Sequence, residues 1–267
     1  GVSAQSMGDG FPTVLSTSGS LTIDNPVSVT LPPAARTISG NLILLRGVFI
    51  TTNGGPRLTL GANPYSVTTM VKRSGGSLSG VIQGSNWYEI EYTGASKTTG
   101  DEWTGAGMRN LRVSLNATDT LYLNSNKTIL NYLYLNSGLL HTQSYTLTHI
   151  DQTEGSIFGA GPGSYIIGRF RRLIAPGIGD YTFPVGGSSF SPVKISFTQS
   201  DGGSVIVRSA NGDHPSINSS SLNSLRTVNR YWYTVADSGL FNYSCALTLN
   251  WAFSDQDAYF NRSSAVA

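Results

Sequence analysis

The side chains of this 267-residue chain that could carry chemistry fall into a few small groups. Glu89 and Glu91 stand two apart, so in a strand they share one face. Paired carboxylates are the acid–base set of glycoside hydrolysis. The same alternation, however, turns Tyr88, Ile90 and Tyr92 toward a core and leaves Trp87, Glu89 and Glu91 in solvent, which is a structural pattern. Asp213-His214 supplies two members of a nucleophilic triad, but no Gly-x-Ser-x-Gly elbow accompanies it. The run Asn211-Gly212-Asp213-His214-Pro215 has the composition of a turn. His141 and His149 lack Cys or carboxylate neighbours at metal-ligand spacing. Asp255 and Asp257 could offer oxygens to Ca²⁺, with Asp237 the only other acidic candidate nearby in sequence, too few for a full site. Arg169, Arg171 and Arg172 could grip an anionic polysaccharide. Alternation puts the first two on one face and the third on the other, and the simpler role is a solvated sheet edge kept from wrong pairing by its charge. No set converges, so no catalytic residue, metal ligand or cofactor site is assigned, and the expectation is a protein that is not an enzyme.

The elements that must position these residues are strands. Charged residues are 12% of the chain, about half the usual share, while Gly numbers 31. Low charge with many Gly, Ser, Thr, Asn and Tyr favours sheet and turn over a helical bundle, and 10% aromatics exclude a disordered tail. A formal net charge of +2 gives no basic face for nucleic acid. No apolar run approaches the ~18 residues of a membrane span. Cys245 stands alone, so it makes no internal disulfide; it is expected as a small buried hydrophobe in a strand, with pairing to another chain as the alternative.

An internal repeat sets the architecture. Thr37-Ile38-Ser39-Gly40-Asn41-Leu42-Ile43-Leu44-Leu45-Arg46-Gly47 aligns with Thr128-Ile129-Leu130-Asn131-Tyr132-Leu133-Tyr134-Leu135-Asn136-Ser137-Gly138, the first copy carrying two extra residues assigned to Gly54-Gly55. Further on, Gly76-Ser77-Leu78-Ser79-Gly80 echoes Gly155-Ser156-Ile157-Phe158-Gly159. One such unit cannot bury its apolar face alone, so neighbours must stack. The expected fold is all-β: β-solenoid-like stacked strands over 36–175 with Leu42, Leu44, Leu133 and Leu135 inward, then an antiparallel β-sandwich over 176–267. A sandwich with a duplicated hairpin is the alternative. Residues 1–35, with strand-like Ser20–Ile23 and Val27–Leu31 stopped by Pro32-Pro33, are expected as an extended N-terminal arm.

Several segments in series carry a resemblance. They are Trp87-Tyr88-Glu89-Ile90-Glu91-Tyr92-Thr93-Gly94, Asn110-Leu111-Arg112-Val113, Tyr165-Ile166-Ile167-Gly168-Arg169-Phe170-Arg171-Arg172, Tyr181-Thr182-Phe183-Pro184-Val185-Gly186 and Val228-Asn229-Arg230-Tyr231-Trp232. In this order the chain resembles the long, repetitive, secreted surface proteins of Bacteroidota and related bacteria. The resemblance implies a β-solenoid plus β-sandwich in a structural or adhesive protein, and carries over no catalytic residue. Similar chains run on past Asp255-Gln256-Asp257 through further strands. The small-residue run Val2-Ser3-Ala4-Gln5 fits the vicinity of a signal-peptidase site, so the expected location is extracellular or at the cell surface.

The function expected from these features is that of a structural subunit of a filament, sheath or surface coat. Its partner is a second copy, joined head to tail by strand exchange, with Leu21, Ile23, Val27, Val29 and Leu31 of the arm docking on a neighbour's open sheet. The alternative is a cell-surface adhesin or carbohydrate-binding module, with Trp87 as a platform for an extracellular polysaccharide. No nucleic acid and no membrane span are expected. Asn-x-Ser/Thr sequons begin at Asn116, Asn126, Asn218, Asn242 and Asn261, as expected by chance in so Asn-, Ser- and Thr-rich a chain.

Overall fold

The computed structural model describes residues 3–51, 58–63, 65–67, 69–82, 86–104, 106–237 and 239–261; Gly54-Gly55 lies outside them. Parallel strands stacked coil on coil make the larger part of the molecule. In one wall, β1 (Gln5–Ser6), β3 (Ser20–Thr30), β5 (Asn41–Ile50), β7 (Thr69–Arg73), β9 (Tyr88–Gly94), β11 (Met108–Leu115), β14 (Leu133–Ser137) and β16 (Ile157–Phe158) lie side by side in that order, with β8 (Ser77–Ser79) also on β5. A second wall runs β10 (Lys97–Thr98), β12 (Thr120–Tyr122), β15 (Leu139–His149) and β17 (Ile166–Pro176), with β13 (Lys127–Ile129) beside β15 and β19 (Val185–Gly186) beside β17. A narrow third strip joins β2 (Val14–Leu15), β4 (Arg36–Ile38) and β6 (Leu58–Leu60). Every one of these pairings is parallel, the arrangement of a β-solenoid.

Alternation decides what each coil buries. Leu21, Leu42, Val71, Ile90, Leu111, Leu133 and Ile157 stand in register as one inward row along the solenoid. Leu42, Leu44, Leu133 and Leu135 are all fully buried, as the period-two pattern predicts. The two repeat copies turn their corners at equivalent glycines, Gly47 (φ 69°) and Gly138 (φ 78°). At Gly47 a side chain is excluded on two counts, because a Cβ would also sit 1.9 Å from the Asn25 carbonyl oxygen.

The segment expected as an extended N-terminal arm is the start of the solenoid. β3 pairs in parallel with β5 over most of its length. Ile23, Val29 and Leu31 are buried in the chain's own core, Leu21 packs against that core, and Val27 faces solvent. Leu21, Ile23, Val29 and Leu31 find their cover within the same chain, so their side chains are not free to dock on a neighbour.

Beyond the solenoid the strand direction changes. β17 pairs in parallel with β15 on one edge and antiparallel with β20 (Val193–Asn211) on the other. β20 crosses from one sheet to another, with Gly202 and Gly203 at positive φ where it does so. Its first half lies between β18 (Gly179–Phe183) and β22 (Tyr243–Leu249), its second between β17 and β21 (Arg230–Asp237), all antiparallel. β17 is therefore an interior strand, which corrects the expected solvated edge at its arginines. Arg169 is exposed, Arg171 forms an ion pair with Asp237, and Arg172 is buried. Cys245 also departs from expectation: it lies in strand β22, but exposed.

Candidate functional site

The outer face of the long wall carries a ladder of polar and aromatic side chains. Register aligns Lys72, Glu91, Arg112, Tyr134 and Phe158 on five successive strands. Each side chain finds its partner on an adjacent rung. Lys72 Nζ lies 3.3 Å from Glu91 Oε2, and Arg112 Nε donates to Glu89 Oε2 at 3.3 Å. The Arg112 guanidinium covers the Tyr134 ring at 3.9 Å, and Tyr134 stacks on Phe158 with ring centroids 5.0 Å apart and planes 16° from parallel. Tyr132 meets both rings edge-on. Both carboxylates of the sequence pair are thus matched with bases, and neither is set against the other across a cleft as hydrolysis needs.

Trp87 lies at the foot of the same face, half-buried, with the Arg109 guanidinium 3.6 Å over its ring. That stack occupies one of the two indole faces. The more open aromatic surface is at the far end of the ladder, where β16 is the last strand of its wall and Phe158 is 42% exposed.

Past β16 the wall opens into a cleft of about 520 Å³ between the solenoid's last rung and β18. Ile157 and Gly159, which flank Phe158, line one side, Thr182 the other, and Glu154 the rim. Arg172 closes its base: its guanidinium donates to the Thr182 carbonyl at 2.9 Å and to the Thr153 carbonyl at 3.1 Å, joining the two sides. It also lies 5.3 Å from the centre of the Tyr181 ring. Burial lowers Arg172 to about 10, against the favourable charges of Tyr181, Asp151 and Glu154. His149 packs close by with no exposure, its Nε2 2.5 Å from the Asn131 carbonyl and its Nδ1 without a partner. Burial, helped by the charge of Arg172, lowers it to about 4.

The remaining sequence candidates serve the fold. Asp255 receives Arg230 twice, at 2.8 and 3.0 Å, in a buried pair that also gathers Ser189, Ser209 and Asn211. Burial alone would raise the Asp255 carboxyl, but the hydrogen bonds and charge of Arg230 hold it below its ordinary value. Asp257 accepts from Thr227 and Asn229 at 2.8 Å each, and Asp237 is held by Arg171. The carboxylates considered for Ca²⁺ are therefore engaged within the protein. His141 stacks on Tyr122 at 5.7 Å and stands apart from the His149 pocket. Asp213 accepts from Thr227 while His214 accepts from the Ser216 amide and packs on Tyr231, a turn and not a catalytic pair. Among the described residues no group of three His, Cys, Asp or Glu side chains is placed to hold a metal ion, and no helix is long and apolar enough to cross a membrane.

Inside the solenoid, Glu102 is a functional-looking residue with no sequence signature. It is fully buried and accepts from Arg73 at 2.6 Å, Tyr92 at 2.8 Å and the Gly100 amide at 2.9 Å. Burial, then the Glu102 charge, raises the Tyr92 phenol well above its ordinary value. Arg73 occupies an inward position in register with Leu44 and Tyr92, and Glu102 is what permits a cation there. Comparison of the chain with protein-family models, with curated proteins and with solved structures returns no match.

Proposed function

We propose that this is an extracellular structural protein, a subunit of a filament, sheath or surface coat, whose copies associate through β-strand contacts. Strand β22 carries this reading. Register sets Phe183, Val193 and Leu249 in one row and Tyr181, Ile195 and Leu247 in the next, all on the face that β18 and β20 turn to the core. The β18 and β20 members are buried, yet Leu247 is 51% exposed and its neighbours Cys245 and Tyr243 are exposed too. The core-side stripe of the sheet thus runs on past the residues that cover it. Among the described residues no strand pairs with the outer edge of β22. Tyr243–Leu249 also lacks the charges and proline that blunt an exposed edge.

Among the described residues β3 leaves part of its outer edge unpaired, which a second copy could meet. On the outer side of β3, β1 reaches only Val29 and Thr30. The stretch before them borders a groove of about 580 Å³ lined by Met7, Thr22 and Asp24 among others. β22 of one copy against the β3 backbone of the next is a head-to-tail contact, which propagates instead of closing. The internal pairing of Glu89, Glu91, Asp255 and Asp257 supports a structural and not a catalytic role.

Sedimentation velocity and electron microscopy of the purified chain test this. Assemblies that grow with concentration are expected, and Leu247→Lys should leave monomers with an unchanged melting curve. A wild-type chain that stays monomeric at every concentration, or assembly unaffected by Leu247→Lys, overturns it.

A further inference from the structure

We infer that the outer face shared by β17, β20 and β21 binds an acidic oligosaccharide through Arg169 and Arg208. The inference does not rest on the strand contacts proposed for β22. Position decides which arginines are available. Alternation along β17 turns Phe170, Arg172 and Ile174 into the core and leaves Arg169 and Arg171 on the outer face. Arg171 is neutralised there by Asp237. Arg169 is exposed, and among the described residues its guanidinium has neither an ion pair nor a hydrogen bond.

β20 sets a second arginine beside it. The register that pairs Phe170 with Val207, carried on by one residue, places Arg169 opposite Arg208. Side chains so placed start about 4.5–5.5 Å apart, and like charges there repel. Arg208 is exposed and, among the described residues, has no carboxylate partner either. An anion between the two guanidinium groups removes the repulsion and supplies the acceptor that both lack. Arg208 is already ordered for this. Its guanidinium lies 3.9 Å over the ring of Tyr233, its neighbour on β21. Stacking fixes the plane of the group and leaves free the N–H donors that lie in that plane, the fork that receives a carboxylate or sulfate by parallel bonds.

Ring surface adjoins the charge on the same face. Tyr231 meets Tyr233 edge-on at 5.3 Å, and His214 meets Tyr231 at 5.2 Å. Ala210, opposite Tyr231 and on the same face as Arg208, adds no bulk between the rings and the arginines. A uronate or sulfated sugar has the matching parts: an acid group for the arginines and a flat C–H face for the rings. An extended peptide binds by main-chain hydrogen bonds to a free strand edge. β17 and β20 are paired on both sides here, so this face offers side chains alone. Two arginines and a formal net charge of +2 are too few for the phosphates of a nucleic acid. Of the three arginines that sequence suggests for an anionic polysaccharide, only Arg169 is thus available, and its partner comes from another strand.

The test is isothermal titration calorimetry of the full chain with hexamers of galacturonate and of mannuronate and with a heparin-derived hexasaccharide. At least one is expected to bind saturably, and raising the salt about tenfold should weaken that binding. Arg169→Gln and Arg208→Gln should each weaken it at least about fivefold, with the melting curve unchanged. Arg46→Gln removes one positive charge on β5, outside this face, and should leave binding as in the wild type. Absence of binding by all three sugars overturns the inference, as does binding that survives both Arg169→Gln and Arg208→Gln. Equal weakening by Arg46→Gln also overturns it, since net charge and not this face would then be responsible, and so does equally tight binding of neutral cellohexaose. Saturable binding of hexaglutamate without any binding of the acidic sugars would assign the face to an acidic peptide and overturn the saccharide assignment.

Discussion

Acidification from pH 7 to pH 5 should cost this fold about 2 kcal/mol through His149 alone, taking its folded value as about 4 and its unfolded value as 6.5. The imidazole has no exposure. In its neutral form Nε2–H donates to the Asn131 carbonyl, and Nδ1 carries a lone pair and no proton that would need an acceptor. A proton on Nδ1 would be buried without an acceptor and would be opposed by the charge of Arg172, with that of Asp151 a smaller compensation. The folded state therefore binds the proton less readily than the unfolded chain. Stability is complete above the unfolded value, falls as pH drops through the window from 6.5 to about 4, and levels off below it. The full loss approaches about 3 kcal/mol. Urea denaturation of the wild type and of His149→Gln at both pH values measures it, since carboxylate titration is common to the two proteins and cancels in the difference. If both lose the same stability between pH 7 and pH 5, the burial and charge account of His149 is wrong.

Further perturbations address other parts of the fold. Arg230→Met should destabilise by about 3–5 kcal/mol, because Asp255 is left buried without its bidentate partner; thermal melting measures this, and Arg230→Met combined with Asp255→Leu should recover part of the loss. Leu135→Ala should cost about 2–5 kcal/mol by opening a cavity in the inward row, read by urea denaturation. Gly47→Ala should prevent folding, whereas Gly212→Ala should cost only about 1 kcal/mol; both have positive φ, but a Cβ at Gly212 meets nothing within 4 Å. Mild oxidation of the native, unassembled chain should yield Cys245-linked or Cys245-modified species without prior denaturation, because Cys245 is already at the surface of β22; mass spectrometry reads it, and an unreactive thiol would contradict the exposure of that strand.

The stacked-strand architecture was legible because period-two alternation and corner glycines are local signals. Leu42, Leu44, Leu133 and Leu135 all point inward, and the aligned Gly47 and Gly138 both take positive φ. Gly80 and Gly159, which close the second repeated motif, do so as well. What escaped the sequence was long-range. Nothing near Asp255 announces Arg230, 25 residues away, as its partner. The arginines of β17 were expected at an edge because no local feature shows that β20 flanks them. The first strands read as an extended arm because their cover, β5, begins only after Pro32-Pro33 and the short β4. The aromatic end of the ladder did leave a trace: Tyr132 and Tyr134 lie in one repeat copy, and Phe158 in the echoed Gly155–Gly159 motif. Their convergence depends on parallel register, which sequence spacing alone does not give.

The change of strand direction at β17 has a consequence for how such a chain can vary in length. Every wall position before it is occupied by a strand that repeats the pairing of the one before, so a duplicated coil lengthens the body by one inter-strand step of about 4.8 Å and leaves both ends as they were. At β17 that freedom stops, since β20 meets it antiparallel and offers no copy of the incoming edge. Insertions of whole coils upstream are then neutral to the terminal sheet, while a shift of one residue within β17 would misplace β15 and β20 together. The strand works as a fixed stop on an extensible ruler, and related chains should differ by whole coils before it and hardly at all within it.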